Sequence, residues 1–99
     1  MNVTELTDAI HAALLQALGP SDAAIFARAE AEDIAETLAR VTALRDSGTL
    51  DETDAAALVR MQASRSRAVL LAVQGMSEID AQNAINAALD AVKDRKSVV

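Results

Sequence analysis

Apolar positions recur at three- and four-residue intervals along nearly the whole chain, with polar residues between them. In "NVTELTDAIHAALLQALGP" the stripe runs through Val3, Leu6, Ile10, Leu14 and Ala17. In "SDAAIFARAEAEDIAETLARVTALRDSG", Ala27, Ile34, Leu38 and Val41 share one face at about 100° per residue, with Phe26 and Leu44 beside it. The third segment, "TLDETDAAALVRMQASRSRAVLLAVQG", carries Leu58, Val69, Val73 and Met76, flanked by Val59 and Leu70. The fourth is "SEIDAQNAINAALDAVKDR". Alternation of period two persists nowhere, so helices are expected and strands are not.

Punctuation sets the boundaries. Gly19 and Pro20 stop the first segment, Ser21 is placed to cap the second, and Gly48 to close it. Thr49 and Glu52 have capping-box spacing for the third, which ends at Gly75. Ser77 opens the fourth, and Lys93 and Arg95 sit where its dipole favours cations. Helices are therefore expected at about 3–18, 22–46, 51–74 and 78–95, within one domain covering 1–99. Connections of two to four residues favour antiparallel neighbours. The expected fold is all-α: a four-helix antiparallel bundle with a long central helical hairpin turning near Gly48, and a frayed tail, "KSVV".

Composition narrows the chemistry. Of the 99 residues, 52% are hydrophobic but only 1% aromatic, the single Phe26. Much of the apolar content is alanine, a strong helix former that buries little area. No cysteine is present, which removes disulfides, thiolate metal sites and a cysteine nucleophile. The net charge of −6 opposes nucleic acid or an anionic membrane as a partner, since both call for concentrated Lys and Arg. "MNVTELTDAI" lacks a basic stretch followed by an apolar run, so no signal peptide is expected, and no apolar run reaches the ~18 residues of a membrane span. A soluble, cytoplasmic protein is expected.

Charged and polar residues inside the stripes are the candidates for chemistry. In "FARAEAEDIAETL", Glu32 and Glu36 point away from the apolar face and Asp33 lies at its edge, but Glu30 falls on the stripe between Phe26 and Ile34. Gln62 and Arg65 fall within the stripe of the third helix, whereas Arg60 and Arg67 point away. In a hairpin turning near residue 49, facing residues sum to about 98, which sets Glu30 within a turn of Arg65 and Thr37 opposite Gln62. A buried carboxylate needs a partner, so a polar core layer of Glu30 with Arg65 and Thr37 with Gln62 is expected. Di-iron bundles use Glu with Glu-x-x-His. The nearest pattern here is "DAIH", Asp8 and His11, which two copies could bring near Glu30. Asp is short for that role and no second histidine exists, so no metal site or cofactor is expected. "ASRSRA" offers serines and arginines without a base to activate a serine, so no catalytic residues and no enzyme are expected.

"AVLLAVQGM" contains five consecutive apolar residues, Val69 to Val73, and Leu71 lies far round the helix from the core stripe. Leu15 and Leu18 widen the first stripe in the same way. Helices apolar around most of their circumference are covered on most sides. Leu15, Leu18 and Leu71 are therefore the expected interface of a two-fold homodimer. The expected function is a small acidic, non-enzymatic interaction module, an adaptor, regulator or assembly component that can also bind another protein. The alternatives are a carboxylate metal-binding, ferritin-like protein and an acidic inhibitor mimicking nucleic acid.

Overall fold

The computed structural model describes residues 3–19, 25–72 and 75–97, the last five as backbone only. The described chain is all-helical: α1 (Val3–Leu18), α2 (Ala27–Asp46), α3 (Glu52–Ala72) and α4 (Glu78–Ser97). α1 packs against both α2 and α4, α2 against α3, and α3 against α4, closing a ring in which each helix has two neighbours. The molecule measures 40 × 23 × 19 Å with a radius of gyration of 13.2 Å. Among the described residues no helix is long and apolar enough to cross a membrane.

The core forms around α1. Leu6, Ile10, Leu14 and Leu18 lie at four-residue spacing, one straight ridge of large aliphatic side chains, and all four are buried. They meet small residues on both sides. α2 presents Ala27, Ala31 and Ala35, and α4 presents Ala81, Ala84 and Ala88, all essentially inaccessible to solvent. Alanine faces let helix axes come close, so the ridge is gripped by backbone as much as by side chains. Ile34, Ile85 and Leu70 fill the space between. Thr7, buried on the same helix, satisfies its hydroxyl by donating to the Val3 carbonyl at 2.8 Å.

The helix ends follow local chemistry, with one departure from expectation. α2 closes at Gly48, whose φ of +80° is the left-handed region glycine enters without strain. The Thr49 N–H then reaches the Leu44 carbonyl at 2.9 Å, and the Gly48 N–H that of Arg45 at 3.1 Å, the paired bonds of a Schellman motif. α3 is capped by Asp51, whose carboxylate accepts from the Asp54 N–H at 2.8 Å. The Thr49–Glu52 box does not form, because the Thr49 hydroxyl bonds that of Ser47 in the turn. Ser77 caps α4, accepting from the Asp80 N–H at 3.1 Å. Ser21, Pro20, Val73, the "VV" end and the side chains of Lys93 and Arg95 lie outside the described residues.

α2 runs from Ala27, preceded by a 3₁₀ turn at Ile25 and Phe26; the expected helix start at residue 22 lies outside the described residues. A side-by-side hairpin of α1 and α2 sets Arg28 opposite residue 17. Arg28 instead meets Asp8 at 3.2 Å, nine residues earlier and about 14 Å further along α1. Ile25 and Phe26 stay outside the core, 77% and 45% exposed.

Beyond about residue 40 the core ends. Val41 and Ala55 are buried, yet neither belongs to the cluster around α1. Here α2 and α3 pack chiefly on each other. Ile10→Ala is expected to lower stability by about 2–5 kcal/mol, and Ala31→Leu by about 1–3 kcal/mol through overpacking. Met61→Ala, at a largely exposed position, should cost under about 0.5 kcal/mol. Urea unfolding followed by circular dichroism reads all three.

Candidate functional site

Where α2 leaves the core, four side chains form a continuous polar relay. The Thr37 hydroxyl donates to the Gln62 amide oxygen at 2.7 Å. The same oxygen accepts from the Arg65 guanidinium. The Gln62 amide nitrogen donates to the Ser66 hydroxyl at 3.0 Å. Having accepted that bond, Ser66 keeps its own hydrogen, and the Glu30 carboxylate lies near enough to be favoured by it. Gln62 and Ser66 are both buried, so the relay accounts for polar atoms that would otherwise be stranded.

The sequence expectation paired Glu30 directly with Arg65. The structure routes the contact differently. Arg65 is exposed and bonds neutral Gln62, while Glu30 is half-buried near Ser66. Among the described residues no ion pair joins Glu30 to Arg65; the only two involve Arg28, with Asp8 at 3.2 Å and Glu32 at 3.4 Å. Ser66 is the residue that reading the sequence missed. Its signal was its position, one turn after Gln62 on the same face of α3.

Burial sets the electrostatics of Glu30. Desolvation raises its pKa above the ordinary carboxylate value; the Ser66 hydrogen bond opposes this, nearby Asp33 adds to it, and the charge of Arg65 opposes it. A raised pKa means that the folded state holds the proton more tightly than the unfolded chain does. The resulting stability is present below the ordinary Glu value of about 4.3 and is lost as pH rises through the folded value.

Beside the relay runs a groove of about 840 Å³ between α2 and α3, sharing Thr37, Gln62 and Arg65 with it. Val41, Leu44, Ala57, Leu58 and Met61 supply its apolar lining, and Arg40, Arg60 and Arg65 its charge. Met61 is 66% exposed, an unusual position for a large apolar side chain. The three arginines are notable in a chain of net charge −6. Neither Arg40 nor Arg60 meets a carboxylate among the described residues.

The residues expected at an interface are dispersed by the structure. Leu18 belongs to the core and offers almost no area to a second copy. Leu71 is half-buried against the same core, because α3 is covered by α4 as well as by α2. Leu15 alone is exposed. Of the metal candidates, Asp8 faces the Arg28 cation, and His11 is half-buried on α1. Among the described residues no three His, Asp or Glu side chains converge to hold an ion.

Comparison with known proteins returns nothing: no family model matches the chain, and no curated protein or solved structure matches it significantly.

Two outcomes test the relay. Glu30→Gln should flatten the pH dependence of stability, its advantage over the parent growing as pH rises from 4 to 7 (about one residue's titration). In double-mutant cycles, Glu30→Gln with Ser66→Ala should couple by about 0.5–1.5 kcal/mol. Glu30→Gln with Arg65→Met should couple less.

Proposed function

We propose that the chain is a small, acidic, non-enzymatic interaction module: an antiparallel four-helix bundle that forms a two-fold homodimer and serves as an adaptor, regulator or assembly component in the cytoplasm. The observation that carries this reading is the open groove between α2 and α3, where the core no longer reaches, with apolar residues along its floor and arginines on both walls. Contiguous exposed apolar area of this kind characterises surfaces that bind other proteins.

The antiparallel arrangement of α2 and α3 is supported by their side-chain bonds. Thr37 bonds Gln62 and Glu30 lies near Ser66, so the partner's number falls as the α2 number rises. Self-association is supported by large apolar side chains away from the groove. Ile25 is 77% exposed, Ile79 74%, Phe26 45% and Leu15 40%. Hydrophobic burial is the main drive to association, and residues of this size gain most from it. The ferritin-like alternative gains no support from Asp8, which is engaged with Arg28. Mimicry of nucleic acid calls for rows of carboxylates, whereas the groove is lined by cations.

Sedimentation velocity at tens of micromolar should show a dimer. Ile25→Glu with Ile79→Glu should raise the dimer dissociation constant at least tenfold, about 1.4 kcal/mol. A monomer throughout the range removes self-association from the reading.

A further inference from the structure

We propose that the α2–α3 groove takes an amphipathic helix from a different protein, one whose apolar stripe is flanked by carboxylates. The inference rests on the interaction-module reading and assigns its partner chemistry. Shape is the first argument. The lining spans Thr37 to Leu44 on α2 and Ala57 to Arg65 on α3, about 10–12 Å of helix axis. That is the reach of apolar anchors at i, i+3 and i+7 on a third helix, whose ridge fits the seam between two packed helices. Met61 at the surface of that seam is unbranched and adaptable, suited to receiving such anchors.

Charge is the second argument. Arg40 comes from one wall, and Arg60 and Arg65 from the other. In a chain with fifteen carboxylates, Arg40 and Arg60 have none within ion-pairing distance among the described residues. Arg65 is held in place by neutral Gln62 rather than neutralised. Guanidinium is weakly hydrated and bonds carboxylate through two parallel N–H groups, which suits it to the edge of an apolar contact. A helix with Glu or Asp on both flanks of its stripe satisfies both walls at once.

The same arginines disfavour a second copy. An isologous two-fold contact centred on the groove sets each arginine cluster against its own image. A small amphiphile is disfavoured by the open form of the site, since ligand pockets enclose most of what they bind.

The test uses a fluorescein-labelled synthetic helix of about five turns, leucine-striped, with glutamate on both flanks, and a twin with glutamine in place of glutamate. Fluorescence anisotropy with the full chain should give micromolar affinity for the glutamate peptide, weakened by salt, and at least tenfold weaker binding of the twin. Arg40→Glu with Arg60→Glu, both exposed positions, should lose at least tenfold for the glutamate peptide while keeping the parent's circular dichroism. Four results overturn the proposal: no binding of either peptide, equal binding of both, displacement of the peptide by vesicles of anionic lipid, or a change in oligomeric state caused by the arginine substitutions, which assigns the groove to a second copy. Equal binding leaves the module reading standing and removes only the acidic partner. Absence of binding beside an intact dimer also removes this inference alone.

Discussion

Four large side chains on one helix face organise this molecule. Leu6, Ile10, Leu14 and Leu18 repeat every fourth residue on α1, and the alanines of α2 and α4 close on them from two sides. With a single aromatic residue, which lies outside the core, the chain has no bulky plug to seal a gap. Cohesion must come from close approach of helices, and close approach requires small residues on the faces that receive the ridge. α2 and α4 are positioned by this contact, and α3 is positioned by them.

The reach of that contact separates two regions along α2 and α3. Up to about residue 40 the pair is buttressed by α1 and α4; beyond it, Val41 and Ala55 pack outside the main cluster. At the junction the Thr37–Gln62 hydrogen bond ties α2 to α3, and Gln62 extends it to Ser66. Directional bonds of this kind fix register where apolar packing becomes thin. They also hold Arg65 at the edge of the groove. The element that aligns the helices is thus the one that fixes a charge at the exposed surface.

Much of this was legible in the sequence, for identifiable reasons. The α1 stripe is regular and ends at a glycine, so its extent and buried face follow from periodicity. The facing of Thr37 and Gln62 follows from counting outward from the Gly48 turn, because a glycine-closed hairpin constrains register. The 3₁₀ turn at Ile25 and Phe26 was not legible. "SDAAIF" contains a cap, an acid and good helix formers, and none of these separates a 3₁₀ turn from the first turn of an α-helix. Leu18 and Leu71 were misread as surplus apolar surface because a helical wheel counts faces, not neighbours, and both α1 and α3 have two. Ser66 carries only a weak mark in the sequence, its place one turn after Gln62, because a hydroxyl adds nothing to the apolar stripe.

The alanine faces have a thermal consequence. Heat capacity of unfolding scales with the apolar area newly exposed to water, and a methyl group exposes far less than a leucine side chain. A core that receives its one aliphatic ridge on Ala27, Ala31, Ala35, Ala81, Ala84 and Ala88 stores little such area for its number of residues. Its free energy of unfolding should therefore bend only gently with temperature. Alanine also has no rotamers to lose on burial, so this core gives up less conformational freedom than one built from larger side chains. A flatter stability curve and a smaller side-chain entropy loss thus have the same origin, the methyl groups that receive the ridge.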